Sequence, residues 1–525
     1  MPEKKFMIRI HQIHVPVTQT LSVSHIAKKI KARPSEIHSY EIERESLDAR
    51  GDHLQYIYTV LAQVSNEHRY LKLKDVTEGT KETYQLPEQL TVSTRPLVVG
   101  FGPAGMYAAL ILSECGLRPL IIERGKSVDE RTKDVEAFFY QGLLNPESNV
   151  QYGEGGAGTF SDGKLTTRMK NIRITKVFEE FIEAGADPAI MYQHRPHLGT
   201  DQLRFIVKNI REKIIRLGGE IRFETKLEKL IIKDGAVTGA VTDKGTIETD
   251  TVLLCAGHSA ADTYTSLFEQ GIEIVQKDFA AGVRVEHPQA MIDQNTYGKY
   301  YGHPSLSPAS YQLTARTSAG RGVYSFCMCP GGVVVPASTM EETLAVNGMS
   351  YSARDGKNAN SAILVQIPRT DFDHGHPLDG FRFQKELEKK AYRDAYQAPA
   401  MNIRDFVNFL PASQAVIETS FPRGIVMEDM HALFSDAVNT ALREGFLNFD
   451  RKIPGFVDQG IMVGMESRSS SPIRIPRNED GCCESCKGLY PCGEGAGYAG
   501  GIVSSAVDGI RQAENAIRSL RNELK

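Results

Sequence analysis

The apolar and polar positions of the chain follow two different periods, and their order divides it into segments of helix and strand. Residues 1–94 predict a strand, a helix and two further strands, followed by a polar linker. From Arg95 the order becomes strand, glycine-rich turn, helix and strand, which is typical of the start of a doubly wound sheet. Within 200–257 a helix is followed by short paired strands, which indicate an antiparallel layer inserted into that sheet.

The second half of the chain has a different pattern. Residues 271–450 are rich in strands first and in helices later, and we interpret them as a substrate domain. Residues 451–525 return to a glycine-rich turn that leads into a long helix, which we expect to complete the domain that begins at Arg95. The predicted fold class is therefore α/β, with a small N-terminal α/β domain over 1–94, a discontinuous Rossmann-like domain over 95–270 and 451–525, and a β-rich substrate domain over 271–450.

The length and charge of the chain exclude several classes of protein. Its 525 residues exceed what one ordinary core holds, so several domains are expected. Lys and Arg total 61 against 65 Asp and Glu, a formal net charge of -4, so we expect no nucleic-acid partner. The start of the chain lacks a secretory signal, and eight cysteines in this length form no disulfide framework, so we expect a cytoplasmic protein. The apolar run 96–122 is broken by Pro103, Glu114 and Arg118, so it predicts strand, turn and helix and no membrane span.

Three glycines, Gly100, Gly102 and Gly105, form the spacing G-x-G-x-x-G between a predicted strand at 97–99 and a helix from Ala104. The spacing alone is weak evidence, since 46 glycines in 525 residues produce it by chance about 0.35 times. Its place between a strand and a helix makes it informative. There the first glycine allows a tight turn, the second lets the backbone approach a pyrophosphate, and the third lets the helix pack on the strand. The motif therefore predicts a dinucleotide site.

An acidic residue, Glu123, ends the next predicted strand, about 20 residues after the glycines. At this place a carboxylate accepts hydrogen bonds from both ribose hydroxyls and repels a 2′-phosphate. We expect Glu123 and the adjacent Arg124 to bind the cofactor, which on this evidence is FAD or NAD.

The C-terminal segment distinguishes the two cofactors. It places Glu494 after a short strand, then a glycine-rich turn, and then a helix from about Gly501. In FAD enzymes an acid at this place accepts hydrogen bonds from hydroxyls of the ribitol or from hydroxyls linked to the pyrophosphate. The start of the helix faces the N1–C2=O edge of the flavin. We therefore predict FAD, and expect as its binding residues Glu494, Gly500, Gly501 and Ile502, together with a close turn at Ala256 and Gly257.

With these segments the chain resembles the glutathione-reductase-like flavoproteins with two dinucleotide folds, and more narrowly the uncharacterised FAD-dependent, or NAD(FAD)-utilising, dehydrogenases. The resemblance covers nearly the whole chain and rests on the strings SLDAR (46–50), VVGFGPAGMYAAL (98–110), GGAGTFSDGKL (155–165), RPHLGTDQL (195–203), CAGHSAADT (255–263), GVRVEHPQ (282–289), VYSFCMCPGGVVVPA (323–337), NGMSYSARDGKNANSA (347–362), ESRSSSPIRI (466–475) and YPCGEGAGYAGGI (490–502). It implies FAD at the three glycines and Glu123, the GTFSDGKL loop beside the isoalloxazine, and the Glu494 turn over the cofactor. It implies no substrate. Two features depart from the family pattern: Glu494 stands where most related flavoproteins have Asp, and the segment GCCESCK before Leu489 is additional.

The loop GEGGAGTFSDGKLTTR, residues 153–168, contains too many small residues for a packed helix. It is either a surface loop or a backbone cradle on the flavin and pyrophosphate, and the close approach that a buried cofactor face requires favours the cradle. We expect contacts with FAD from Gly158, Thr159, Ser161 and Lys164. Lys164 can in addition stabilise an anionic flavin at N1, and a solvated lysine is the alternative.

Two further residues join Lys164 as candidates for catalysis. Arg284 lies on a predicted strand and can clamp an anionic substrate or pair with a carboxylate such as Glu286. His258 follows the turn at 256–257 and can exchange a proton near the flavin or cap the next helix. We predict that an anionic substrate group lies between Arg284, His258 and the GTFSDGKL loop.

Two groups of cysteines lie close in sequence, and neither predicts a metal site. Cys327 and Cys329 are two apart on a predicted strand, where both side chains share one face and core packing is the favoured interpretation. The second group has a single C-x-x-C spacing without a convincing fourth ligand, so we expect an inert loop, with zinc or a redox dithiol as alternatives. Its members are Cys482, Cys483, Cys486 and Cys492.

The whole sequence predicts an FAD-dependent oxidoreductase that transfers hydride at flavin N5, with electrons from a small-molecule substrate, a protein carrier or NAD(P)H. Only one fingerprint is present, so an NAD(P)H domain like that of the disulfide reductases is expected to be absent. Two alternatives remain, a dehydrogenase that uses NAD alone and a flavin-bearing RNA-modification or macromolecule-binding factor. For the latter the first helix offers Lys28, Lys29 and Lys31 without an aromatic residue, which is usually a solvated face.

Overall fold

The computed structural model describes residues 7–49, 53–167 and 169–524. Arg50 of the SLDAR string and Arg168 of the glycine-rich loop lie outside the described residues, as does Phe6, at which the first strand was predicted to begin.

The chain forms runs of consecutive strands, such as 220–254 and 314–367, separated by single helices or short groups of helices. The strands are β1 (Met7–Pro16), β2 (Ile37–Asp48), β3 (Gln55–Val64), β4 (Val76–Gly79), β5 (Leu97–Val99), β6 (Leu120–Ile122), β7 (Glu220–Arg222), β8 (Leu227–Lys233), β9 (Ala236–Thr242), β10 (Gly245–Glu248), β11 (Val252–Leu254), β12 (Val275–Gln276), β13 (Phe279–Pro288), β14 (Thr314–Arg316), β15 (Gly322–Cys329), β16 (Val333–Pro336), β17 (Val346–Met349), β18 (Asn358–Ile367), β19 (Ala398–Asn402), β20 (Ile425–Met427), β21 (Ile461–Glu466), β22 (Ile473–Arg474) and β23 (Leu489–Pro491). The helices are α1 (Val23–Ile30), α2 (Glu67–Tyr70), α3 (Pro103–Glu114), α4 (Val128–Gln141), α5 (Arg173–Glu183), α6 (Gly199–Arg216), α7 (Ala261–Glu269), α8 (Gln289–Tyr297), α9 (Asp379–Ala391), α10 (Ile403–Val407), α11 (Asp436–Lys452) and α12 (Ile502–Glu523).

The N-terminal segment forms a four-stranded antiparallel sheet in the order β2-β3-β1-β4. Inward-facing residues of its strands, such as Ile8 and Val60, form a core with Ile26 of α1. β4 arises from the stretch predicted as a polar linker. It pairs with β1, and its buried Val76 reaches the core, so one apolar residue anchors an otherwise polar edge strand.

A five-stranded parallel sheet has the order β23-β11-β5-β6-β7. Its edge strand β23 comes from the end of the chain, as the glycine-rich turn and long helix there predicted. α3 packs between this sheet and α12 and is buried on almost every side, which explains why its sequence is apolar throughout. β8, β9 and β10 form the predicted antiparallel layer.

A seven-stranded mixed sheet has the order β14-β15-β18-β13-β21-β19-β20. Its central strands β13, β18 and β21 are buried on both faces almost without exception. β21 belongs to this sheet because it pairs with β13 and β19, although it lies after residue 450, where we expected the substrate domain to end. Apart from this strand, the division of the chain into domains stays a prediction. Among the described residues, no helix combines the length and the apolar composition that crossing a bilayer requires.

Candidate functional site

A cavity of about 950 Å³ opens between the parallel sheet and the seven-stranded sheet. One side is lined by the turns after β5, β6 and β11 and by the start of α12. The other side is lined by β14, β15 and β17. Ligands of open α/β sheets bind beyond the carboxyl ends of the strands, so this cavity is the candidate functional site.

The three fingerprint glycines are needed for different reasons. Gly100 has a φ of +95°, in the left-handed region, and a Cβ there would lie 2.8 Å from the carbonyl oxygen of Cys255. A Cβ at Gly105 would overlap the carbonyl oxygen of Gly100, so this glycine lets α3 pack closely on β5. Gly102 has an ordinary φ of -77°, and a Cβ there would meet nothing nearer than Gly156 Cα at 3.6 Å. The protein itself does not require glycine at 102, so the space beside it is available to a ligand.

Two further glycines border the cavity in the same way. A Cβ at Gly257, after β11, or at Gly500, before α12, would have no neighbour within 4 Å. Gly501 and Ile502 also line the cavity, and α12 begins there. The first N–H groups of this helix have no partner within the helix, so they present partial positive charge to a ligand.

Glu123 directly follows β6, and its carboxylate is buried at the edge of the cavity. Its oxygens accept hydrogen bonds from the backbone N–H groups of Phe101 at 2.8 Å, Gly125 at 2.9 Å and Gly153 at 2.9 Å. The carboxylate therefore holds three chain segments together, a structural role that the sequence did not reveal. Its predicted contact with ribose hydroxyls stays a prediction.

Arg124 lies beside Glu123 on the cavity wall, where the sequence predicted it. Its guanidinium donates to Glu147 at 2.7 Å and to Asp262 at 2.9 and 3.0 Å, and lies 4.1 Å from the centroid of the Tyr152 ring. These contacts fix the side chain at the rim of the site.

The glycine-rich loop lines the cavity through Gly158 and Ser161, as expected of a cradle. The Ser161 hydroxyl donates to the Gly158 carbonyl at 2.7 Å and stabilises the turn. Thr159 differs from the prediction: it is buried outside the cavity lining, and its hydroxyl donates to the Glu154 carbonyl at 3.1 Å. The turn of the loop directs this side chain into the core.

Lys164 lines the cavity with 34% of its side chain exposed. Its ammonium donates to the backbone carbonyl of Met328 on β15 and lies 3.8 Å from a carboxylate oxygen of Asp162. Lys164 is therefore no free solvated lysine. It connects the glycine-rich loop to the seven-stranded sheet.

His258 and Glu494, predicted from distant parts of the sequence, lie together on the cavity wall. Nδ1 of His258 is 3.2 Å from Oε1 of Glu494. The histidine is 8% exposed, and its Nε2 is buried without a hydrogen-bond partner among the described residues. A buried polar atom without a partner is costly, so this nitrogen needs a partner that the protein itself does not supply.

Arg284 is fully buried and does not line the cavity, so its predicted role as a substrate clamp is wrong. Its guanidinium donates from Nε to Asn360 at 2.9 Å, from Nη1 to Glu466 at 3.2 and 3.3 Å, and from Nη2 to the carbonyl of Cys327 at 2.6 Å. β17 covers the guanidinium with Gly348, at which a Cβ would overlap it. The alternation of β13 predicted a face for Arg284 but not what covers that face.

The other interpretation of Arg284, an ion pair with a carboxylate, is correct, but the partner is Glu466 and not Glu286. Glu466 lines the cavity, and burial raises its pKa although Arg284 acts to lower it. Glu286 instead accepts hydrogen bonds from Ser420 and Asn358.

Arg354 and Asp162 also line the cavity, although the sequence gave no role to either. They form a bidentate pair, with Nε 3.0 Å from Oδ1 and Nη2 2.6 Å from Oδ2. Both belong to strings that carried the family resemblance. The available signal was a charged residue in the turn sequence SARDG, between two apolar strands.

Cys327 lies at a β-bulge of β15, where the pairing with β18 shifts register between Phe326 and Cys329. Its φ of 43° is left-handed, and its thiol is exposed to the cavity while Cys329 remains buried. The bulge breaks the alternation, so the prediction of one shared face is wrong. Burial raises the pKa of the Cys329 thiol to about 12.

Cys482, Cys483 and Cys486 are buried free thiols in the additional loop before β23. Cys492 lies apart from them, next to Cys255 at the ends of β23 and β11, and burial raises its pKa. Among the described residues, no three His, Cys, Asp or Glu side chains are arranged as a metal site.

The residues around the cavity fit FAD. The open space beside Gly102, Gly257 and Gly500 allows close backbone approach, and Nε2 of His258 lacks a partner. Residues 278–469 match a family model described as "FAD-dependent protein, C-terminal domain-like", and residues 7–63 match a domain of unknown function. Fold, site and family model therefore agree on the cofactor.

Two relatives give the wider context. An uncharacterised protein from Clostridium beijerinckii is 43% identical over an alignment of 533 positions, which covers 97% of this chain and 98% of that protein. The protein FixC from Shigella flexneri is 26% identical over 209 residues, 38% of this chain and 44% of FixC.

Two solved structures match much of this chain at low identity and low TM-score. A geranylgeranyl bacteriochlorophyll reductase-like protein from Thermoplasma acidophilum has a TM-score of 0.37 and 12% identity, covering 83% of this chain and 80% of its own. A glycine oxidase from Bacillus cereus has a TM-score of 0.31 and 12% identity, covering 82% and 97%. At these values the neighbours carry no argument about substrate.

The α/β fold, the site around the cavity and the family model define an FAD-dependent protein. Within that class, the chain belongs to the same family as the Clostridium beijerinckii protein, as their 43% identity over nearly the full length of both shows.

Proposed function

We propose that this protein transfers a hydride between the N5 position of FAD and a small-molecule substrate bound against the seven-stranded sheet. The observation that carries the proposal is one continuous cavity, which runs from the turn after β5 to β15. Because cofactor-binding turns and the wall of the substrate domain share this space, a substrate on the β15 side faces the cofactor without a barrier.

Each wall of the cavity has its own part in binding. The start of α3 offers unpaired N–H groups to the pyrophosphate, and Glu123 offers its remaining acceptor capacity to the ribose. The start of α12 at Gly501 directs partial positive charge at the flavin. When bound there, FAD supplies hydride exchange at N5.

His258 is the proposed group for proton exchange with the substrate. Glu494 holds the imidazole through Nδ1, and Nε2 has no partner among the described residues. A positioned histidine of this kind typically contributes a factor of about 10² to 10⁴ to rate. Glu494 then acts through His258, by fixing the tautomer and the orientation of the ring.

The proposal includes a placement among the NAD(FAD)-utilising dehydrogenases of the glutathione-reductase-like group, supported by the strings quoted above. The electron partner is the substrate itself, NAD(P)H at the flavin or a protein carrier. A cytoplasmic location is part of the same proposal, since all eight cysteines are free thiols. A nucleic-acid partner has little support, because Lys29 of the short basic face is paired with Asp75 at 2.7 Å.

The absorption spectrum of the purified protein tests the proposal. We expect flavin bands, released as FAD on denaturation, and bleaching of the bands when NADH or NADPH is added if either is the electron partner. A protein that binds NAD but no flavin would overturn the proposal. His258→Asn should retain the bands and slow reduction by any active donor, with a changed pH dependence.

A further inference from the structure

A group of three charged side chains, Lys164, Asp162 and Arg354, forms one wall of the cavity. Arg354 pairs with both oxygens of Asp162, and Lys164 lies 3.8 Å from the same carboxylate. The hydroxyl of Ser350 donates to Asp162 at 2.5 Å. Two cations therefore share one carboxylate, which leaves one positive charge in excess at this wall.

Neighbouring groups respond to this excess charge. Burial lowers the pKa of His197, and Arg354 and Lys164 lower it further, so the histidine stays neutral and adds no further positive charge. Arg195 lies two residues away, on the segment that bridges to Lys164. It lines the cavity with Ser310 as its hydrogen-bond partner, and no carboxylate of the described residues pairs with it. The local potential on this side is therefore positive.

Most other cations at the cavity are neutralised. Arg468 pairs with Glu388, and Arg124 and Lys226 together pair with Glu147 and Asp262. The charge of Glu466 is balanced by Arg284, which lies behind the cavity wall. Two carboxylates lack a Lys or Arg partner, but both belong to the cofactor-binding turns: Glu123 is held by backbone N–H groups and Glu494 by His258. Arg195 is exposed, so solvent screens its charge, and the excess charge inside the cavity is that of the wall formed by Lys164 and Arg354.

The side chain of Arg354 is buried and is ordered by its contacts with Asp162. Arg354 has a φ of 51°, in the left-handed region, and its side chain is only 9% exposed. Nε and Nη2 are directed at Asp162, and Nη1 has no partner among the described residues. A side chain that is already ordered loses little entropy when it binds a ligand.

We propose that the substrate carries a carboxylate, bound at the cavity wall by Arg354 and Lys164. The inference rests on the proposed function, because it places this group of the substrate beside the flavin. A carboxylate is favoured over a phosphate monoester because its single negative charge matches the single excess positive charge, whereas a phosphate carries about -1.5 to -2 at pH 7.

Small anions test the proposal on the FAD-loaded protein without knowledge of the substrate. Acetate, propanoate and benzoate are titrated at constant ionic strength, with propanamide as the neutral analogue and inorganic phosphate as the other anion. The readout is the change in the visible absorption of bound FAD. We expect saturable changes with the carboxylates, none with propanamide, and weaker binding of phosphate.

Three variants of the wall test the charge: two should raise the Kd of the carboxylates and one should lower it. Arg354→Gln and Lys164→Met each remove a positive charge and should raise the Kd of the carboxylates at least tenfold. Asp162→Asn removes the shared negative charge and should lower that Kd. The control is Lys208→Gln on α6, which removes a charge from an exposed ion pair with Asp129 of α4 and should leave the Kd of the carboxylates unchanged. If Arg354→Gln does not fold, Lys164→Met gives the same test, because that side chain is partly exposed.

If the protein shows flavin bands, the proposed function stands, and several results would then overturn this inference alone. They are the absence of any saturable change in the wild type, equal binding of propanamide, tighter binding of phosphate, or a Kd within twofold of wild type in both Arg354→Gln and Lys164→Met. A shifted midpoint potential of bound FAD with an unchanged Kd would show that the charge acts on the flavin instead, and would also overturn it. Absence of flavin bands would instead refute the proposed function itself.

Discussion

At the residue scale, substitutions of Gly102 and Gly105 should affect different properties, FAD binding at Gly102 and folding stability at Gly105. Gly102→Ala adds a methyl group to open space in the cavity, so we expect normal stability and an FAD affinity at least tenfold weaker. Gly105→Ala adds the same methyl group against the Gly100 carbonyl, so we expect a loss of about 1–3 kcal/mol in the free energy of unfolding. Denaturant unfolding and FAD titration of both variants check this. Full flavin content in Gly102→Ala would contradict the assignment of the pyrophosphate site.

Arg284 gives a second test at this scale, because its burial changes what its loss should do. Arg284→Met leaves the Glu466 carboxylate buried without its cation, so we expect destabilisation by about 3–5 kcal/mol. The double variant Arg284→Met/Glu466→Gln removes the unpaired charge and should recover part of this loss. Thermal unfolding of the three proteins measures it. A stable Arg284→Met that fails only in substrate binding would favour the clamp predicted from sequence.

At the element scale, His287 links β13 to the loop after α11. Its Nε2 is 2.8 Å from the Phe456 carbonyl oxygen, and burial lowers its pKa to about 4. The unfolded chain therefore binds a proton near pH 6.5 that the folded protein does not, and folding stability is lost as pH falls from 6.5 towards 4. The full effect is roughly 3 kcal/mol.

Stability measurements between pH 7.5 and 5 check this expectation. The wild type should lose stability over this range, and His287→Gln should lose less, because its side chain cannot take up the proton. Equal pH dependence in both proteins would show that other groups dominate the acid response.

At the scale of the whole molecule, the cavity lies between two sheets, and Lys164 connects the glycine-rich loop to one of them at Met328. A ligand in this space should therefore stabilise the protein as a unit. By mass action, FAD at 100 times its Kd adds about 2.7 kcal/mol. We expect removal of FAD to lower the melting temperature and added FAD to restore it, with no effect from NAD⁺ at the same concentration. An equal shift with NAD⁺ would favour the dehydrogenase that uses NAD alone.

The sequence by itself determined the features that depend on local pattern. The strand, glycine turn and helix at 97–114, the acid at Glu123 and the final glycine turn with its helix were legible because periodicity, glycine spacing and strand ends are properties of neighbouring residues. These features indicated the α/β fold and FAD. His258 and Glu494 were found separately for the same reason, as polar residues in glycine-rich turns at strand ends.

Only the tertiary structure decided which side chains share the cavity. Alternation along β13 assigned Arg284 to a face of the sheet, but β17, from a later part of the chain, covers that face. The cations that line the cavity are instead Arg354 and Lys164, among others. The bulge at Cys327 depends on the pairing of β15 with β18, and the membership of β21 depends on its pairing with β13. Such contacts join residues far apart in sequence, and their energies come from burial and pairing that no local pattern contains.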